Sequence, residues 1–215
     1  MSSQLLRAAF VLSAVAISSQ ASAAPDFAAC FSLKPGVSFG AERTTVSIEK
    51  AKFMGQDAIA VTQSEGGVSS ASFYDASGRK LLGNVRYGIS AMGGDAKAPL
   101  MTESYSKAPE FPGKAAPGAK FKLSGSGKLE NHADETSTPL EYEGFSDYTF
   151  VGFEDLATKI DYKDRTFSNT CHLSAEFEGG RMEAWYAPGF GRVKFERYSG
   201  DSLLMAEEID SVIQE

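Results

Sequence analysis

The stretch from Cys171 to Tyr186 constrains this chain most. Cys171, Leu173, Ala175 and Phe177 alternate with His172, Ser174, Glu176 and Glu178, the period of two that sends one set to each face of a β-strand. Cys171 is therefore expected to face inward and His172 outward. Gly179 and Gly180 follow as a two-residue connection able to supply positive φ at both turn positions. Counting back from them pairs Phe177 with Met182, Ala175 with Ala184 and Leu173 with Tyr186 on the apolar face. The same register sets Glu178 against Arg181, Ser174 against Trp185 and Glu176 against Glu183 on the other. A one-residue slip would mix the faces.

Trp185, the sole tryptophan, then needs a cover: it either packs under a loop or marks a binding surface. Pro188, Gly189 and Gly191 interrupt the pattern, and Val193 and Phe195 resume it, so the expectation is two strand halves around a kink, as a curved sheet requires. The Gly-x-Gly pair lacks the third glycine and helix start of a phosphate loop.

Upstream, similar grammar recurs. Phe31 to Phe39 holds a Lys34-Pro35-Gly36 turn signal leading into a strand. Thr45 to Glu49 and Ile59 to Val61 read as a hairpin around Met54-Gly55, followed by strands at Ser69 to Tyr74 and Arg79 to Asn84. Residues 91–119, rich in Gly, Pro, Ala and Lys, are expected to form an irregular connection with one short strand at Met101 to Tyr105. Phe121 and Leu123 open another strand, Gly125 to Pro139 reads as a polar loop, and Tyr142 to Phe153 as an aromatic strand. The tail 202–213 fits strand or helix; the expectation is a last strand with a frayed end. The fold class is thus mainly all-β, a curved antiparallel sheet or half-open barrel. Two echoes, Phe31–Phe39 in Phe111–Phe121 and Ala71–Arg79 in Glu183–Arg192, suggest two related meanders over 31–90 and 111–213.

Arg7, an apolar run from Ala8 to Ile17 and Ala21-Ser22-Ala23 form a secretory leader pattern, with cleavage expected after Ala23 and a single domain over 24–215. No later apolar run approaches the ~18 residues that cross a bilayer, so no transmembrane span is expected in the mature chain, which is placed in the periplasm or secreted. An exported chain with two cysteines, Cys30 and Cys171, has the minimum for one disulfide. The alternatives are two buried free thiols, or a lipid-attachment box at Phe27-Ala28-Ala29-Cys30, which Pro25, Asp26 and the phenylalanine fit poorly. The formal charge of −7 argues against nucleic acid or an anionic membrane as partner.

Catalytic patterns are sparse. His172 adjoins Cys171, but alternation parts their side chains. His132 lies among loop acids, and neither the carboxylates from Glu141 to Asp164 nor any other residues show metal-loop spacing, so no metal, cofactor or catalytic residue is assigned.

The string Trp185-Tyr186-Ala187-Pro188-Gly189-Phe190-Gly191-Arg192-Val193-Lys194, preceded by Arg165-Thr166-Phe167-Ser168-Asn169-Thr170, resembles exported bacterial β-rich proteins of unknown function. In these a G-T-F-x-N strand entry precedes a W-Y-A-x-G-x-G-x-V-K ending; here Arg165 replaces the glycine. Phe31 to Phe39 is similar to their P-L-x-x-G-x-x-W opening, with phenylalanine for tryptophan. Such proteins look like relatives of the half-closed sheets of periplasmic lipoprotein carriers, and the resemblance implies architecture without catalytic residues. The expected function is an exported, non-catalytic binding protein whose concave face receives an apolar small molecule or lipid, with Trp185, Tyr186 and Phe190 near one rim. The alternative is a structural or assembly component that meets an envelope protein. Hydrolysis by a carboxylate pair across the sheet has no supporting pattern.

Overall fold

The computed structural model describes residues 25–88, 98–142 and 147–214. The leader expected at residues 1–23, and the Gly93-Gly94 part of the irregular connection, lie outside the described residues. No helix among the described residues is long and apolar enough to cross a membrane.

The expected open antiparallel sheet is what the chain forms. A short 3-10 turn, Phe27–Phe31, precedes β1 (Ser38–Ala41), β2 (Thr44–Phe53), β3 (Gln56–Glu65), β4 (Val68–Tyr74), β5 (Leu81–Tyr87) and β6 (Pro99–Lys107). Then come β7 (Lys120–Lys122), β8 (Ser126–Asn131), β9 (Thr136–Glu141), β10 (Asp147–Ile160), β11 (Lys163–Phe177), β12 (Gly180–Ala187), β13 (Gly191–Ser199) and β14 (Ser202–Gln214). All belong to one 14-stranded sheet in the order β7-β10-β11-β12-β13-β14-β1-β2-β3-β4-β5-β6-β8-β9. Strongly twisted open sheets beyond ~10 strands rarely persist without curling, splitting or flattening, and this one curls. The far end of the β10–β11 hairpin reaches back to β14, where Asp161 N–H donates to the Asp210 carbonyl at 2.9 Å and the Thr158 hydroxyl to the Ile209 carbonyl at 3.3 Å. The first and last strands meet mid-sheet, Phe39 opposite Val212 and Ala41 opposite Ile209.

The core follows from the alternation. Cys171, Leu173 and Ala175 of β11 face Met182 and Ala184 of β12, Phe195 of β13, and Phe150 of β10 in one apolar cluster. Phe27 and Phe31 of the 3-10 turn seal it, and Cys30, within that turn, is bonded to Cys171. The bridge excludes the free-thiol alternative and leaves no sulfur for lipid attachment at Cys30.

Four details differ from expectation. The β11–β12 register is offset by two residues: Phe177 pairs with Gly180, Leu173 with Ala184, His172 with Trp185 and Glu176 with Arg181. A two-residue offset preserves the faces, so the inward set is unchanged. Of the pair, Gly179 has positive φ, +82°, whereas Gly180 lies in β12, where a Cβ would strike the Tyr198 carbonyl and the Phe177 ring. Next, Pro188 to Phe190 is a hairpin loop, since β12 and β13 pair with each other up to Ala187 opposite Gly191; a period of two reads alike through a kink and around a three-residue turn. In place of the polar loop expected over 125–139, Ser126–Asn131 and Thr136–Glu141 form the β8–β9 hairpin, whose strands lie at the sheet edge and carry no fully buried face to read. Finally, β14 runs unbroken to Gln214, held by β1.

Candidate functional site

The curl leaves a cavity of about 850 Å³ between the two arms of the sheet. One wall comes from β1–β4 through Phe39, Val46, Val61 and Tyr74; the other comes from β12–β13 through Tyr186, Arg192 and Phe195. Leu33 and Phe190, bridged to each other, close one side. The chain between Phe31 and Lys34 lies wedged between two turns. A Cβ on Gly78 would strike the Phe31 carbonyl, and one on Gly191 would sit 3.0 Å from Leu33.

Aromatic rings make the inner wall continuous. Phe31 stacks on Phe111 at 4.3 Å and lies 5.1 Å from Tyr186, Phe111 reaches Tyr148 at 5.6 Å, and Phe39 approaches Phe190 at 6.1 Å. Polar atoms come from Gln63 and Glu65 of β3, Ser70 and Ser72 of β4, the Tyr74 and Tyr186 phenols, and Arg192, Lys194 and Glu207; Tyr142 and Tyr148 lie outside the lining. Burial pushes the Tyr186 and Tyr74 hydroxyls above their ordinary value, an effect that Arg192 partly offsets. Burial and the neighbouring phenols raise Tyr148 further, and Tyr142 is pushed up to about 12. These groups are neutral donors at physiological pH.

Because the folded values exceed the unfolded one, folded protein holds these protons where unfolded chain releases them. The associated stability is complete below pH 10 and is lost as pH rises toward 12. These phenols should therefore leave the thermal midpoint unchanged between neutral pH and pH 10 and lower it beyond; a level profile through pH 12 would show that the phenols titrate freely.

Arg192 owes its position to a bulge. β12 and β13 pair Trp185 with Lys194 but Tyr186 with Arg192, skipping Val193, and a residue inserted into one strand re-aims its neighbours. Arg192 thus shares the inner face with Tyr186, its guanidinium 4.7 Å above the Phe195 ring and 3.1 Å from Glu207.

No family model and no curated protein matches this chain. Among solved structures, a crystal structure of a Bacteroides fragilis protein of inferred export with a YmcC-like fold matches at 13% identity. It covers 85% of this chain and 98% of that one, with a TM-score of 0.43.

The structure brings Tyr186 and Phe190 together at the cavity and parts Trp185 from them. Trp185 points to the opposite face, 7% exposed. His172 stacks on it at 4.4 Å, Lys194 approaches its ring at 4.8 Å, and its indole N–H donates to the Glu154 carboxylate. His172 lies 2.8 Å from Glu183 and 3.4 Å from Glu154, so polar groups hold the indole at its edge and on its face while it also belongs to an apolar cluster with Leu156, Phe167 and Val193. His132 pairs with the Thr102 hydroxyl at 2.8 Å. Sequence reasoning missed Arg192, Phe39, Val61 and Tyr74 as cavity residues. The signal for Arg192 was the flanking Gly191, which has φ +73° at the bulged end of β13.

Proposed function

We propose that this protein is an exported, non-catalytic binding protein whose curled sheet takes an apolar, lipid-like group into the cavity between its arms. The observation that carries this reading is the aromatic lining of a space of about 850 Å³, within the ~300–1,000 Å³ range of sites that enclose small molecules. Export is supported by the leader pattern and by the Cys30–Cys171 bridge, a bond kept in oxidising compartments.

Protein produced with its leader, then delipidated, should bind the neutral dye Nile red, and native mass spectrometry before delipidation should show a co-purified apolar species. Ser70, half-buried on the β4 wall, offers a blocking position. Ser70→Phe should fill the space and weaken dye binding about tenfold or more, equivalent to at least ~1.4 kcal/mol. Absence of dye binding, or equal binding by Ser70→Phe, rejects the cavity as the site.

A second reading, a component of an envelope assembly, draws on Leu203, Leu204 and Met205, which are 53%, 62% and 42% exposed in succession at the start of β14. A photo-cross-linker at position 204 that captures a defined envelope protein, with the dye site empty, would favour it.

A further inference from the structure

Resting on the cavity reading, we propose that the ligand is a single-chain amphiphile with an anionic head, that Arg192 is its head-group site, and that Glu207 occupies that site in the empty protein. The β12–β13 bulge sets a guanidinium on the same inner face as Tyr186. Beside it the lining includes the apolar Phe39, Val46, Val61 and Phe190, while Gln63, Glu65 and Ser70 make the β3–β4 side polar. The space thus offers a cation beside hydrocarbon contact, a pairing that suits an amphiphile with an anionic head.

The chemistry around Arg192 fits an exchangeable anion. A guanidinium has five donors in a planar fork and takes carboxylate or phosphate in bidentate fashion. Its ion pair is with Glu207, and the two side chains are 38% and 37% exposed, so water screens the pair and can receive the released Glu207 carboxylate. The Tyr74 and Tyr186 phenols, held in their neutral form and within electrostatic reach of Arg192, add donors and no competing charge. An anionic head would thus replace one carboxylate with another at the guanidinium, while its chain displaces water from the aromatic wall.

Competition against Nile red, below the micellar concentration, tests this with four amphiphiles of equal chain length: a fatty acid, an alkyl phosphate, a fatty alcohol and an alkyl trimethylammonium. The wild-type protein should prefer the acid or the phosphate over the alcohol by roughly ten- to hundredfold, the scale of one charge-assisted hydrogen-bonded pair. The preferred anion identifies the head. Arg192→Gln should lose the preference of the anions over the alcohol and, with Glu207 left unpaired, bind the trimethylammonium at least as well as the alcohol; Arg192→Lys should restore part of the anion preference, and Glu207→Gln should tighten anion binding while leaving the alcohol unchanged. Retained alcohol binding by Arg192→Gln shows that the variant is folded.

Equal binding of acid and alcohol by wild type, or an anion preference that survives Arg192→Gln, overturns the head-group assignment and leaves the apolar cavity standing. Failure of all four to displace the dye removes the amphiphile and the head site together. Failure of the dye itself to bind removes the function proposed above.

Discussion

Reduction of the Cys30–Cys171 bond, or its replacement by Cys30→Ser with Cys171→Ser, is expected to lower the unfolding free energy by up to about 5 kcal/mol. The bridge spans a sequence separation of 141, and the chain-entropy model scales its effect with the logarithm of the loop closed. Both sulfurs lie in the fully enclosed core, Cys30 at 1% and Cys171 at 0% exposure, so the serine variant adds the cost of two buried hydroxyls. Alanine at both positions separates the two effects. Since domains of this kind have total stabilities of only ~5–15 kcal/mol, the reduced protein should sit near its unfolding threshold. Urea unfolding with and without reductant reads this directly; coincident midpoints would mean that the 3-10 turn is held without the bond.

Phe150→Ala should cost ~3–5 kcal/mol, the range for truncating a fully enclosed aromatic residue. Phe150 has 0% exposure and meets Phe27 at 4.7 Å and Phe153 at 5.0 Å. It also sits where β10 bulges against β11, between Phe150 and Gly152, so the surrounding backbone is poorly placed to collapse into the void. The measurement is again the urea midpoint at constant slope. Phe150 and Cys30 belong to the same cluster, so the combined variant should depart from additivity, as neighbours sharing a cavity do. A loss below ~1 kcal/mol for Phe150→Ala would show that the cluster repacks.

The sheet was legible in this sequence wherever one face is buried. Alternation at Cys171–Phe177 and Val46–Ile48 marked the inward side chains, because burial of one face imposes the period. It failed at β8–β9, which have no buried face to leave that trace. Turns were legible when glycine did a single job. Met54-Gly55 closes β2 onto β3 as expected, whereas Gly179 and Gly180 do different work, one bending the chain and the other making room for the Phe177 ring. The Asp161–Tyr162 turn, with φ of +50° and +65°, was invisible because neither residue is the glycine such a geometry favours. Tyr186 and Phe190 were legible as residues apart from the bulk of the core because they are large aromatics in a stretch broken by Pro188, Gly189 and Gly191, and both line the cavity. Arg192 was not, because its direction is set by a bulge, a property of two strands and not of one.

The meeting of β1 and β14 also bears on how the chain must be made. A strand near the beginning has a partner near the end, and until residues 202–214 have emerged β1 has only β2 beside it. Pairings this distant in sequence close slowly, and a bare strand edge is the feature that recruits foreign chains. The middle of the sheet is therefore among the last parts to exist, and until residues 202–214 have been made this molecule carries an open seam along β1.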